Sequence, residues 1–328
     1  MKEDIEKIIH DFKFKQIGVI GDLMLDRTER GRISKRKNPE NEDVPIISAK
    51  EEFYLGGCGN VARNLSSLGV KVDLYGIIGD DLYGHQIKRM CKENKINTRY
   101  LIEDKNPTIL KARIFIEEKY RHRSDLGEIN ENYEKNLEKL SIKNQEKILL
   151  NLEKEIKKYN GIILSDYNKR MFTHDFTQKI IELANSKNIT IVCDPKPENI
   201  DYFKFCSVIC PNKKEAEKIT KETELLKIGR KIQKRINSRG NIITCGKEGA
   251  FVYDNNKSRL IKTRAKKVVE VTGAGDTFAA VLTLGLVSKL DIFNSAELAN
   301  IAAGIVVEKL GTSVTTQKEL IEYIRKSL

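Results

Sequence analysis

The chain has 328 residues, a formal net charge of +12, 40% hydrophobic and 32% charged residues, the balance of an ordinary globular protein rather than a disordered or fibrous one. No apolar run approaches the roughly 20 residues that span a bilayer. The start, MKEDIEKIIHDFKFK, lacks the apolar stretch and cleavage site of a signal peptide, so a cytoplasmic protein with no membrane partner is expected.

In chain order, KQIGVIGD (15–22) reads as a strand ending in a Gly-Asp turn. Residues 28–55 carry no helical period. A helix follows at 59–69, then the strand VDLYGIIGDD (72–81) and a helix at 82–94. Residues 107–121, PTILKARIFIEEKYR, alternate apolar and polar as a half-exposed strand does. A helix at 134–159 precedes the strand GIILSDY (161–167), and one at 174–187 precedes ITIVCDP (189–195). SVICPN (207–212) and NIITCG (241–246) are further strands, with helices at 213–221 and 225–239 between them. The chain closes on helices at about 275–289, 293–309 and 317–326.

Short apolar strands alternating with helices predict an α/β fold with a central, mostly parallel sheet flanked by helices. Ligands bind such sheets beyond the carboxyl ends of the strands, and each strand here ends at Asp, Asn or Gly. The irregular stretches 28–55 and 107–121 read as a small β appendage, a lid inserted in the first half. One domain of this kind is expected to occupy residues 1–328.

The charge has two readings. The Lys residues are interleaved with Glu and Asn, as in EKNLEKLSIKNQEKILLNLEKEIKKY, the pattern of solvated helix faces. With no aromatic-and-basic motif beside it, the positive charge suits an anionic small substrate better than nucleic acid. The six cysteines are scattered, and the close pair Cys206 and Cys210 lies in an apolar run, so all read as core. No histidine stands at metal-ligand spacing from a cysteine, and no metal-ligating residue is assigned.

The stretch VTGAGDTF (271–278) places Gly273, Ala274 and Gly275 before Asp276 and an apolar helix. Small residues opening a helix expose backbone N–H groups to one point, and the helix dipole adds positive potential, which makes an anion hole. An acid at its edge fits a base that takes the proton of a hydroxyl attacking a phosphoryl group. The turn by itself fits a plain helix start capped by Asp equally well. No G-x-x-x-x-G-K-[ST] loop occurs, and GCGNVA (57–62) matches a dinucleotide fingerprint without the preceding strand it needs.

The combination is more telling. GDLMLD (21–26), GGCGNVARNLSSLG (56–69), PNKKEA (211–216), TCGKEG (244–249), VTGAGDTF (271–278) and NIAAGIVVEKLGT (300–312) follow one another in the order seen in the PfkB family of carbohydrate kinases. The chain resembles that family from about residue 15 to 316. Within it, GDLMLDR, NPTILKARIF, RSD (123–125), LSDYNK (164–169), DPK (194–196) and EKLGTSVTT resemble the bacterial kinases of D-glycero-D-manno-heptose 7-phosphate. There are departures. Cys58 and Gly59 stand where that subfamily has two alanines, Arg170 replaces a common glycine, and Glu270 replaces the Asp near which family members hold a monovalent cation.

The resemblance implies a ribokinase-like fold and an enzyme using ATP and Mg2+ to phosphorylate the anomeric hydroxyl of a heptose 7-phosphate, for nucleotide-activated heptose of a surface glycan. Asp276 is then the base, with Gly273, Ala274 and Gly275 around the transferring phosphoryl group. Asn212, Lys213, Lys214 and Glu215 border the nucleotide phosphates and Mg2+; Thr244, Gly246, Asn300 and Gly304 border the nucleotide. Asp26, Gly56, Gly57 and Asn60 hold the sugar, and Arg113, Lys169 and Lys196 are the cations for its phosphate. A homodimer is expected. Many heptose kinases carry a second, nucleotidyl-transferring domain, whose activity is not expected of this chain. The alternatives are a PfkB kinase of another sugar or sugar phosphate, and a non-catalytic sugar- or nucleotide-binding protein.

Overall fold

A computed structural model describes residues 2–33, 46–116, 119–126, 134–169, 171–265 and 267–327. The strands along the chain are β1 (Gln16–Gly21), β2 (Leu23–Ile33), β3 (Ile46–Gly57), β4 (Lys71–Gly79), β5 (Leu101–Asp104), β6 (Ile109–Ile116), β7 (Lys119–Leu126), β8 (Gly161–Ser165), β9 (Thr190–Asp194), β10 (Val208–Ile209), β11 (Gly240–Thr244), β12 (Ala250–Asp254) and β13 (Lys257–Ile261). The helices are α1 (Lys2–His10), α2 (Cys58–Ser67), α3 (Leu82–Glu93), α4 (Glu134–Glu155), α5 (His174–Ser186), α6 (Lys213–Thr220), α7 (Leu225–Ile236), α8 (Ala274–Val287), α9 (Ile292–Val307) and α10 (Gln317–Ser327).

The large sheet has the order β13-β12-β11-β10-β9-β8-β1-β4-β5. It is parallel from β11 to β5, with β12 and β13 added antiparallel at one edge. Successive residues of a strand point to opposite faces, and the core divides accordingly. Val19, Leu74, Ile163, Val192 and Ile242 pack with α1, α2, α8, α9 and α10, whereas Ile20, Tyr75, Leu164, Cys193 and Ile243 pack with α4, α5, α6 and α7. Both faces are covered, so these strands read as unbroken apolar runs rather than alternating ones. All six cysteines are buried and unpaired in disulfides, as core residues should be.

A second sheet of order β3-β2-β6-β7 grows directly from the end of β1. The pairs β2–β3 and β6–β7 are antiparallel and β2–β6 is parallel. The irregular stretches of the sequence thus contain strands. Residues 107–121 hold β6 and the start of β7 rather than one strand, and residues 34–45 and 117–118 lie outside the described residues. Helix α1, strand β5 and the β12–β13 hairpin are elements without a counterpart in the sequence reading.

Candidate active site

Strand order decides which strand ends become neighbours. The chain runs from β1 outward to β4 and β5 on one side, then to β8, β9, β10 and β11 on the other. That reversal is a topological switch point, the place where open α/β sheets bind ligands. Beyond the carboxyl ends on the β8–β11 side stand Tyr167, Asp194, Lys196, Asn212 and Thr244. With Glu215, Gly273, Gly275 and Asp276 they line one cavity.

Asp276 occupies the first turn of α8 and is 7% exposed. Its Oδ2 accepts from Asn60 Nδ2 at 2.6 Å and its Oδ1 from the Tyr167 hydroxyl at 2.7 Å. Burial pushes its carboxyl up to about 6, with the Asp26 charge adding to the rise; the Asn60 and Tyr167 hydrogen bonds and the Lys196 charge hold it down. Gly273 caps the helix at φ 83°, a left-handed conformation that favours glycine. A Cβ there would stand 2.7 Å from Asn60 Nδ2, so the absence of a side chain lets α2 and α8 meet at the acid. Beside Gly275 the space is open, with nothing within 4 Å of where a Cβ would stand. The Ala274 N–H, expected to face a phosphoryl group, donates instead to Val271 O at 3.3 Å.

Lys196 reaches the cavity from the end of β9. Its Nζ donates to Glu215 Oε1 at 2.5 Å and lies 5.3 Å from the centre of the Tyr167 ring. Burial opposes its charge, yet Asp194, Glu215 and Asp166 together hold the ammonium above its usual range. Glu215 also closes a capping box at the start of α6: Glu215 N–H donates to Asn212 Oδ1 and Asn212 N–H to Glu215 Oε2, both at 3.0 Å. Asn212 therefore caps a helix in the simple sense, and the cap aims that helix start at the cavity. Burial lifts the Asp194 carboxyl well above its usual range, and Glu215 and Asp276 add to the rise. Three carboxylates against one ammonium leave this cavity short of positive charge, so the residues present fit a divalent cation at Asp194 and Glu215.

The remaining assigned residues divide. Asp26 lies in β2 and is 8% exposed, with Arg113 on the neighbouring β6 at 3.8 Å. Gly56 pairs with Met24 on the same strand as Asp26, and a Cβ there would stand 2.9 Å from Asp26 Oδ2. Gly57, at φ 57°, turns β3 into α2, and a Cβ on it would overlap Asp22 O. Asn60 is 1% exposed, and its Oδ1 has no hydrogen-bond partner among the described residues. Lys169 is half-buried and its N–H donates to Asp22 Oδ2 at 3.1 Å. Lys213 pairs with Glu248 at 3.4 Å and Lys214 is exposed, so neither lines the cavity. Gly246 opens a short turn at φ 56° with free space beside it. Asn300 spends its amide on Lys262 O at 2.9 Å, and Gly304 approaches Ala265, so this part of α9 holds the strap after β13. Arg170 lies outside the described residues. Glu270 accepts from the Thr272 hydroxyl at 2.7 Å, the first cause of a carboxyl held below its usual range, and Arg113 lowers it further.

Three acids and a tyrosine at strand ends escaped the sequence reading as site residues. Asp22 is 4% exposed and accepts from the N–H groups of Tyr167, Lys169 and Met171 at 2.8, 3.1 and 3.1 Å. Burial and the Asp166 charge push it up to about 6 in spite of these donors. Asp166 accepts from the N–H groups of Asn168 and Lys196 at 2.7 and 2.9 Å and from Asn199 Nδ2. Asp22 and Asp166 thus fix the two loops that carry Tyr167 and Lys196, and Asp194 and Tyr167 stand in the cavity itself. Their signal was position: each ends a predicted strand or follows one directly.

Comparison with known proteins identifies the family and the fold. Residues 15–319 match the family described as pfkB family carbohydrate kinase. A relative from Aliarcobacter butzleri named Bifunctional protein HldE is 37% identical over 317 residues, covering 95% of this chain and 64% of the relative. A protein of the same name from Helicobacter pylori is 36% identical over 313 residues, covering 93% and 65%. The chain therefore spans less than two thirds of the length of these relatives. Among solved structures, phosphofructokinase-2 from Escherichia coli in complex with potassium superposes with a TM-score of 0.75 at 16% identity, covering 95% of this chain and 98% of that one. Arabidopsis thaliana ribokinase with ribose and ATP gives 0.70 at 16% identity over 95% and 99%. The structural likenesses establish a ribokinase-like fold, and the family match over nearly the whole sequence carries the rest: the chain belongs to the pfkB family of carbohydrate kinases.

Proposed function

We propose that this kinase uses ATP and Mg2+ to phosphorylate the anomeric hydroxyl of D-glycero-D-manno-heptose 7-phosphate, giving the 1,7-bisphosphate for nucleotide-activated heptose of a bacterial surface glycan. The observation that carries the reading is Asp276, a buried carboxylate held between Asn60 and Tyr167 at the start of α8, with Lys196 across the same cavity. The restriction to a heptose phosphate rests on the motifs shared with that subfamily and on the cation Arg113 beside Asp26.

In this mechanism Asp26 and the orphaned Asn60 Oδ1 accept sugar hydroxyls. Arg113 offsets the substrate's own phosphate. Asp276 takes the proton of the anomeric hydroxyl as its oxygen bonds to the γ-phosphorus and the bond to the ADP oxygen breaks. The open first turn of α8 at Gly275 and the ammonium of Lys196 stabilise charge on the transferring group. Mg2+ held at Asp194 and Glu215 would supply neutralisation of the nucleotide phosphates. The β3-β2-β6-β7 sheet serves as a lid over the sugar, and a cytoplasmic homodimer is the working form.

The test is ATP consumption across a panel of sugar phosphates, with unphosphorylated heptose included. Preference for heptose 7-phosphate supports the reading. Equal use of the unphosphorylated sugar, or a clear preference for another sugar phosphate, overturns it.

A further inference from the structure

We propose that Tyr167 is a positioning residue for the base, donating the hydrogen bond that orients the Asp276 carboxylate and keeps it ready to accept a proton. The proposal rests on the reading of Asp276 as the base. Both carboxylate oxygens are engaged from different elements, Oδ2 by Asn60 of α2 and Oδ1 by the Tyr167 hydroxyl from the loop after β8. The hydroxyl is the donor, because burial and the Asp276 charge hold the phenol well above its usual value.

The tyrosine is itself fixed at several points. Its N–H donates to Asp22 Oδ2 at 2.8 Å. Lys196 Nζ lies 5.3 Å from its ring centre, and Lys111 Nζ from β6 of the small sheet lies 5.4 Å away, both within cation–π range. Tyr167 therefore joins the base, the cation of the cavity and the small sheet in one contact set. The other charged groups that bear on Asp276 are Asp26 from β2 and Asp194 and Lys196 from the end of β9; the Cys58 thiol at the start of α2 is held well above its usual range by burial and stays neutral. The carboxylates favour protonation of the base, and Lys196 opposes it. Among the neutral donors, Tyr167 and Asn60 favour the charged form by direct hydrogen bonds.

Tyr167→Phe removes the hydroxyl and keeps the ring. Rates are measured against pH with whichever sugar phosphate the unmutated enzyme uses. The acid limb of kcat should move up by about one pH unit, the effect of one hydrogen bond to a charged group. The loss of rate should be largest below neutral pH, with KM for ATP little changed. Because this could be confused with loss of the activity itself, a second readout is independent of turnover. Carboxyl-labelled aspartate is titrated by 13C NMR in the full chain, and the Asp276 signal is identified by its loss in Asp276→Asn. Its midpoint should rise in Tyr167→Phe. An unmoved midpoint, or a rate lowered equally at every pH, means that Tyr167 only packs and the proposal fails. A moved midpoint in a chain that turns over no heptose phosphate leaves the proposal standing and overturns the substrate reading.

Discussion

Asn60 donates to the carboxylate of Asp276 at 2.6 Å across 216 residues of sequence, joining the first turn of α2 to the first turn of α8. The contact brings the proposed sugar-binding end of the chain onto the proposed base, and it depends on Gly273 having no side chain.

Replacing Asp276 with Asn should keep the fold and ATP binding while lowering kcat by at least about 100-fold, the low end of general-base effects. Steady-state kinetics and a nucleotide-binding titration check this. Near-normal turnover by the folded variant would remove Asp276 from the base role.

The rate should fall on the acid side with a midpoint near 6, the value to which burial lifts Asp276. The sign follows from the role: a base is active when deprotonated, so activity is present above the folded value and lost as pH drops through it. A sugar phosphate also titrates near this pH, with a second pKa of about 6. The limb must therefore be sought in kcat as well as kcat/KM, and must shift in Tyr167→Phe. A flat kcat from pH 5 to 8 contradicts the assignment.

Arg113 and Lys196 should separate in their effects. Losing a charge-assisted contact to phosphate costs roughly 10- to 150-fold. Arg113→Ala should raise KM for the sugar phosphate by that order and spare KM for ATP. Lys196→Ala should act on kcat or on KM for ATP, because Lys196 faces Glu215 and the cavity at α8 rather than Asp26. The reverse pattern would exchange their roles.

Gly273→Ala places a Cβ 2.7 Å from Asn60 Nδ2 at φ 83°. The left-handed backbone alone costs about 1–2 kcal/mol with a side chain. Thermal unfolding should show a lower Tm, and kcat should fall as Asn60 is pushed from Asp276. A variant with unchanged Tm and kcat would show that the close approach is not needed.

Asp22→Ala leaves three N–H groups without their acceptor, that of Met171 buried and those of Tyr167 and Lys169 part-buried. An orphaned buried donor costs about 1–3 kcal/mol, so denaturant unfolding should show a loss of at least about 1 kcal/mol. Asp22→Asn keeps one carbonyl oxygen and should lose less. Equal stability of all three proteins would mean that the 167–171 loop is held by other contacts.

The sequence by itself determined the alternation of strands and helices, because apolar strands buried on both faces leave a continuous local signal, as at β1, β8 and β9. It also marked Asp276 and its glycines, since a helix opened by small residues around an acid is a local pattern. Helix α1 and the β12–β13 hairpin were missed: charges mask the period of the first, and an exposed edge strand such as β13 has little apolar pattern to read. Tertiary structure alone decided which polar residues form the site. Asp22, Asp166, Tyr167 and Asp194 look like ordinary turn residues until strand order sets their loops side by side, and the hydrogen bond from the Asn300 amide to Lys262 O joins α9 to a segment 38 residues away in sequence. A carboxylate's role depends on its distance from donors and other charges. Those distances come from the crossing of chain segments far apart in sequence, which no local pattern contains.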